Sequence, residues 1–326
     1  MSDWRYRISH NAGVLAAIGL FLLMFATYIG NYSSGLTPAV ATTAANKAVL
    51  LALVAMAQTL PVLTRGLDLS VGMIFVLANC IASAIVVGTV GEGLLGMVAV
   101  LAVGALAGFV NGAIVVWGRL QPIITTLATG AVYYGIALFI RPDPGGDVQS
   151  DIADFLTGQL FDTIPAALAV LLAVVLVVWV PYRRSVLGRA AYAVGSNEQA
   201  AYMSGVPVER AKLLAYTLAG LLAAVGGLML TFNTYSGEAS APIAGTYTLN
   251  SIAAVVIGGT SLFGGWGSAI GSLFGAFVLR TIEDLLFVFD LPPLWQPLFQ
   301  GVVLLIAVSL GALRILRIRN RLELFT

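Results

Sequence analysis

Charge is scarce in this chain. Asp, Glu, Lys and Arg together make up 10% of its 326 residues, against about 25% in ordinary soluble domains. The net charge of +1 provides no strongly basic or acidic field, so nothing here points to nucleic acid. One cysteine, Cys80, sits inside an apolar run, which excludes an intrachain disulfide. One histidine, His10, lies near the N-terminus. No His/Cys cluster for zinc and no interior Ser-His-Asp triad can be built from these, so the sequence offers no catalytic residue and no metal ligand. Lysine is also rare. A phosphate-cradling loop needs Gly-x-x-x-x-Gly-Lys followed by Ser or Thr, but Lys47 precedes Ala48 and Lys212 precedes Leu213. If ATP drives this protein, the ATPase is another polypeptide.

Apolar residues are what the chain does have, at 59%. A soluble protein so composed would expose more apolar surface than water tolerates; a bilayer removes the conflict. A spanning helix needs about 20 apolar residues. The hydrophobic runs predict an all-α polytopic membrane protein with about ten transmembrane helices, at roughly 13–30, 45–64, 70–89, 94–117, 122–140, 163–181, 211–232, 247–263, 268–288 and 294–313. The first run resembles a signal peptide, with Arg5 and Arg7 before it and Ala39-Val40-Ala41 after it. Its length, and its distance from Ala39, favour a retained first span.

Charge sets the expected orientation. With the N-terminus inside, Arg5, Arg7, Arg65, Arg119, Arg183, Arg184, Arg189, Arg210, Lys212, Arg314, Arg317, Arg319 and Arg321 all fall on or beside cytoplasmic segments. That is thirteen of the 16 basic residues; Lys47, Arg141 and Arg280 are the exceptions. The bias is that of the positive-inside rule and places both termini in the cytoplasm. The loop at 141–162 is acidic instead, with Asp143, Asp147, Asp151, Asp154 and Asp162. Span centres are nearly free of charge, apart from Arg280, Glu283 and Asp284 in the ninth. This weakens the reading as an ion-coupled carrier. Gly104, Gly108 and Gly112, and again Gly267, Gly271 and Gly275, form small-residue ridges suited to close helix packing, within the subunit or at an interface between subunits. No strand pattern and no linker is evident, so residues 1–326 read as one transmembrane domain with a cytoplasmic loop at 182–210.

Within that loop the stretch 187–207 is mostly uncharged and rich in small residues. Ser196 or Asn197 can cap a helix starting near Glu198, whose carboxylate suits the helix N-terminus. Ala200 and Ala201 favour the helix, and Gly205 before Pro207 ends it. Elsewhere, Asp68 and Ser70 can cap the third span, and Pro122 suits the first turn of the fifth. Gly258, Gly259, Gly264 and Gly265 permit a tight bend between the eighth and ninth. Trp117, Trp179 and Trp295 fall at expected membrane boundaries and read as interfacial anchors.

Three ordered segments carry a family resemblance. Gly188, Arg189, Tyr192, Ala193, Gly195, Asn197, Ala200, Ala201, Ser204 and Gly205 match the coupling segment of the ribose/xylose/galactoside-type permeases of ABC importers. Gly66-Leu67-Asp68-Leu69-Ser70-Val71-Gly72 resembles that family's connection between second and third spans. Ile252 to Gly265, followed by Gly267-Ser268, resembles its eighth-to-ninth connection. The similarity runs from about residue 45 to 312. Asn250 departs from the pattern, which usually has an acidic residue there.

The resemblance implies the membrane-spanning subunit of a bacterial inner-membrane importer. Its expected partners are an ABC ATPase subunit carrying ATP and Mg, a second permease copy or homologue, a periplasmic substrate-binding protein and the lipid bilayer. No cofactor is expected on this chain. Gly188, Arg189, Gly195, Asn197, Glu198, Ala200, Ala201, Ser204 and Gly205 would couple to the ATPase. A monosaccharide route needs amide and hydroxyl groups with few charges. Asn79, Asn111, Thr125, Thr126, Thr129 and Asn250 suit such a route, and suit helix–helix hydrogen bonds equally well. Related permeases carry nucleosides, autoinducer-like sugars or branched-chain amino acids, and a secondary carrier working without ATP is the rival from another class.

Overall fold

The computed structural model describes residues 12–33, 35–303, 305 and 309. Both basic tails, with Arg5, Arg7, His10, Arg314, Arg317, Arg319 and Arg321, lie outside these residues, as does most of the end of the tenth expected span.

Each of the first nine expected spans meets a helix. α1 is Ala12–Asn31, α2 Pro38–Leu63, α3 Val71–Ile85, α4 Val90–Val116 and α5 Pro122–Ile140. A short α6, Ser150–Thr157, precedes strands β1, Gln159–Leu160, and β2, Ile164–Pro165. Next come α7, Ala166–Val174, a π-helical turn at Val175–Trp179, and α8, Val180–Arg184. The loop that follows folds as α9, Val186–Ser196, and α10, Glu198–Met203. The chain continues through α11, Val208–Thr234, α12, Ala241–Ile257, and α13, Ala269–Val288. Among the described residues, six stretches are long and apolar enough to cross a membrane: α1, α2, α4, α5, the continuous run Ala166–Arg184, and α11. α3 and α12 are apolar but have only 15 and 17 residues. α13 has 20 residues and contains Arg280, Glu283 and Asp284.

Local chemistry sets several boundaries away from the hydropathy estimate. α2 starts at Pro38, because Thr37 Oγ1 accepts from the Val40 amide at 3.2 Å and the proline occupies the first turn. α12 stops at Ile257 because Gly259 turns left-handed, with φ 79°. The π turn directly precedes Pro181, whose missing amide and ring disrupt the ordinary helical ladder. β1 and β2 pair antiparallel, with Leu160 opposite Ile164. They correct the expectation of no strand; two residues each are too short to show alternation.

α11 lies at the centre, packed against α4, α2 and α3. Small residues make this possible. A Cβ added to Gly108 would stand 2.2 Å from the Tyr216 carbonyl oxygen, and one on Gly275 would stand 2.1 Å from that of Ala254. Both glycine ridges therefore join helices of the same chain. Every residue of α2 from Val49 to Leu63 is buried, whereas in α1 only Ala17 and Tyr28 are. Trp117 and Trp295 are 61% and 48% exposed, in keeping with boundary positions. Trp179 is not: it is 2% exposed, with its ring centroid 6.1 Å from that of Tyr182. The π turn carries it inward, so its indole is part of the core.

Candidate functional site

The 182–210 loop forms a compact two-helix unit. Ser185 Oγ accepts from the Gly188 amide at 2.9 Å and starts α9. α9 is not apparent in the sequence, where Gly188 and Gly195 each weaken a helix. Their role is close approach. A Cβ on Gly188 would lie 1.8 Å from the Tyr182 carbonyl oxygen, and one on Gly195 would lie 2.0 Å from that of Leu63. Asn197 then caps α10, its Oδ1 accepting from the Ala200 amide at 2.9 Å. α10 ends as expected at Gly205, φ 74°. There the Val206 amide donates to the Ala201 carbonyl at 3.0 Å and the Gly205 amide donates to that of Tyr202 at 3.0 Å. Glu198 pairs with Lys212 of α11 at 2.6 Å. Ala201 is buried with Ala190, Val194, Val208 and Ala211. Arg189, Ala200 and Ser204 remain exposed, and Arg189 Nη1 donates to the Arg184 carbonyl at 2.6 Å. The sequence reading missed Tyr202 and Met203, which are 71% and 81% exposed on α10. Their signal was present: if Ala201 faces inward, its two followers face outward.

This unit sits on the 258–268 motif and on Leu63, three residues before the motif at 66–72. The Gly265 amide donates to the Leu63 carbonyl at 3.1 Å, at the point Gly195 approaches. Tyr192 OH donates to the Gly267 carbonyl at 2.8 Å. Burial pushes the Tyr192 phenol above its ordinary pKa, against the pull of nearby Arg183, which keeps it a donor. Gly264 packs on Arg65, and Gly258 on the Gly271 backbone. Residues 63–66, 185–205 and 258–268 thus form one junction.

Behind the junction lies a buried polar network. The Gln58 side-chain amide, oriented by its surroundings, donates to the Asp68 carbonyl at 2.9 Å and accepts from its amide at 3.3 Å. Asp68 Oδ1 accepts from the Ser70 amide at 2.9 Å and from Ser70 Oγ at 2.6 Å. Asn111 Nδ2 donates to Ser70 Oγ at 2.7 Å, while Tyr133 OH lies 3.1 Å from Asn111 Oδ1 and 2.9 Å from the Ala107 carbonyl. Thr126 Oγ1 accepts from the Leu69 amide at 2.9 Å. The segment between α2 and α3 is thereby tied to α2, α4 and α5. The expected side-chain cap of α3 is not formed. Ser70 occupies the cap position but makes no cap bond, and Asp68 bonds Ser70 instead. Thr248 of α12 accepts from the Gly72 amide at 3.1 Å in its place. A first-turn amide inside a membrane protein needs some acceptor, and the tertiary fold supplies it. Gly66 and Gly72 are close-packed: added Cβ atoms would lie 2.3 Å from Tyr216 OH and 2.0 Å from the Ala244 carbonyl oxygen. Burial pushes the Asp68 carboxyl pKa up, partly offset by its bonds from Ser70 and Asn111, and its Oδ2 has no partner among the described residues.

The polar residues singled out for a route do not converge on one place. Asn111, Thr125 and Thr126 lie buried near the network, and the Thr125 hydroxyl is unpartnered among the described residues. Asn79 is buried near the other end of α3. Its Nδ2 donates to Thr231 Oγ1 at 2.8 Å and to the Ser236 carbonyl at 3.1 Å, and its Oδ1 accepts from the Glu238 amide at 2.8 Å. Thr129 is half-buried and donates to the Thr125 carbonyl on its own helix at 3.1 Å. Asn250 is half-buried on α12. Among the described residues, no group of three or more His, Cys, Asp or Glu is placed to hold a metal ion.

The family model described as branched-chain amino acid transport system / permease component matches residues 40–308. The chain belongs to this permease family. It is 36% identical over 297 residues to the ribose import permease protein RbsC of Bacillus subtilis (strain 168), covering 90% of each chain. It is also 36% identical over 263 residues to the RbsC of Escherichia coli (strain K12), covering 79% of this chain and 80% of that one. The autoinducer 2 import system permease protein LsrC of Yersinia pseudotuberculosis serotype O:3 (strain YPIII) is 34% identical over 284 residues, covering 84% of this chain and 78% of that one. No solved structure matches. As a permease with several helices able to span a bilayer, the chain is a multi-pass all-α membrane protein, and the resemblance drawn from its three motifs holds.

Proposed function

We propose that this permease is the membrane-spanning subunit of an ATP-driven importer in a bacterial inner membrane, and that its cargo is a monosaccharide. The observation that carries the reading is the junction of the three motif segments beneath an exposed, capped helix. The relatives named for import of ribose and of autoinducer 2 support the sugar assignment. Ten spans put both termini and the 182–210 loop in the cytoplasm, where thirteen of the 16 basic residues fall.

In this reading a separate ATPase, carrying ATP and Mg, docks on α10. Tyr202 and Met203 supply the apolar contact, because large exposed side chains on a water-facing helix suit a protein partner. Glu198, held by Lys212, and Arg189 lie on the polar rim. Asn197, Ala200, Ser204 and Gly205 define the helix, while Gly188, Gly195 and Ala201 seat it. Force applied to α10 passes through α9 to Leu63 and Gly267 as a rigid-body shift. It reaches the segment 66–72 that the Asp68 network holds. Gly258, Gly259, Gly264 and Gly265 let the facing turn follow. A second permease copy completes the route, to which Asn111, Thr125, Thr126, Thr129, Asn79 and Asn250 contribute polar groups, and a periplasmic binding protein delivers the solute. This chain hydrolyses nothing itself.

Purification and reconstitution test the assignment. The chain should retain a distinct ATPase and give no sugar flux alone. The double variant Tyr202→Ser, Met203→Ser should lose the ATPase while inserting normally. Sugar flux through liposomes holding this chain alone would instead identify an ATP-independent carrier.

A further inference from the structure

A cleft of about 870 Å³ opens at the opposite end of the bundle, between α1, α2 and α13. Its volume falls in the range of small-molecule sites, about 300–1,000 Å³. Its walls combine the rings of Tyr28 and Tyr32 with Lys47, Arg280, Glu283 and Asp284. The tyrosine ring centroids are 5.3 Å apart. Asp284 lies about 6 Å below the outer end of α13 and Lys47 about 14 Å along α2 from its outer end, at 1.5 Å per residue. On the topology proposed above, both positions lie inward of the outer membrane face.

Ionisable groups at such depth are costly and are normally paired unless they serve a ligand or a pathway. Arg280 is paired with Glu283, which also accepts from Gln296 Nε2. Lys47 and Asp284, in contrast, make no hydrogen bond or ion pair among the described residues, and Arg280 Nε is buried without a partner. Lys47 and Asp284 lie within electrostatic reach of each other and of the Arg280–Glu283 pair, so the cleft presents donors and acceptors together that are balanced in charge but not directly bonded. A solute of one charge would meet repulsion from half of them. A neutral polyol satisfies both kinds, since each hydroxyl donates to a carboxylate and accepts from an ammonium or guanidinium, while tyrosine faces cover its C–H surface.

We infer that this cleft is an outer receiving site for a neutral polyhydroxylated solute of monosaccharide class, with Lys47 and Asp284 as its hydrogen-bonding groups. The inference rests on the importer reading and adds the place where solute first meets the permease.

The natural Cys80 is fully buried, so Thr43→Cys in the cleft wall makes a clean reporter. The variant, reconstituted with its ATPase in nanodiscs, is labelled with a membrane-impermeant maleimide in the presence of D-ribose, D-xylose or D-galactose. At twice its dissociation constant the imported sugar slows labelling about threefold by occupancy. Asp284→Leu and Lys47→Met, which remove the hydrogen-bonding groups outright, each abolish the slowing in the Thr43→Cys background while the ATPase stays bound. Uptake of one of these sugars by the same complex in sealed proteoliposomes, without any slowing in nanodiscs, overturns the site and leaves the importer reading standing. Slowing that follows the phosphatidylethanolamine content of the nanodisc, or the added binding protein, and not sugar overturns it in favour of those occupants. Absence of both uptake and slowing overturns site and importer reading together.

Discussion

Gly195→Ala tests the junction most directly. The added methyl would lie 2.0 Å from the Leu63 carbonyl oxygen and 2.3 Å from the Gly265 amide nitrogen, both backbone atoms that no rotamer change can move. Ordinary contact begins at 3.4 Å, so α9 must retreat by about 1.4 Å or the Gly265–Leu63 hydrogen bond must open. Overpacking of this kind costs about 1–3 kcal/mol, and the lost bond adds about 1 kcal/mol. Because α10 is carried on α9, the same shift displaces the exposed Tyr202–Met203 face. Uptake in vesicles should fall by about tenfold or more, in keeping with a loss of at least 1.4 kcal/mol, while membrane insertion is retained. Gly91→Ala is the control. A Cβ at Gly91 meets nothing within 4 Å, and alanine is the better helix former. If Gly195→Ala transports and melts like Gly91→Ala, the junction is not a force-bearing contact and the coupling argument fails.

Two further outcomes follow from the buried network. Gln58→Leu strips the partners from the Asp68 amide and carbonyl and should lower stability by about 2–6 kcal/mol, two buried groups being left unsatisfied; an unchanged melting temperature would show that the clasp is dispensable. Asp68 has its carboxyl pKa raised by burial, so its stabilising contribution is full below the ordinary carboxylate value, near about pH 4, and is lost as pH rises through the raised value. Asp68→Asn should remove that slope from melting curves taken across the acid range, and a slope identical to that of the parent would refute it.

Much of the membrane fold was legible because lipid imposes simple rules. The fifth span was read at 122–140 and forms at Pro122–Ile140, since a proline starts it and the apolar run ends at Arg141. The short helix from Glu198 to Gly205 was equally plain, because Asn197 and Gly205 are local signals that need no tertiary partner. α9 was illegible for the converse reason: its glycines are selected by Tyr182 and Leu63, residues distant in the chain or turned back on it. Gln58 was passed over as one polar residue in an apolar run, and its role appears only when the 66–72 segment folds against it.

Composition and long apolar runs of little charge determined by themselves that this chain lives in a bilayer. These properties depend on solvent and charge, which act on each residue separately. Only the tertiary structure decided which apolar helices are core and which lie exposed at the edge of the chain, since α1 and α2 read alike when every span must be hydrophobic. It alone brought three separated motifs into one junction, and it alone left Lys47 and Asp284 facing a common cleft. Such contacts depend on backbones approaching across long sequence separations, and that information is carried by pairs of residues, not by single ones.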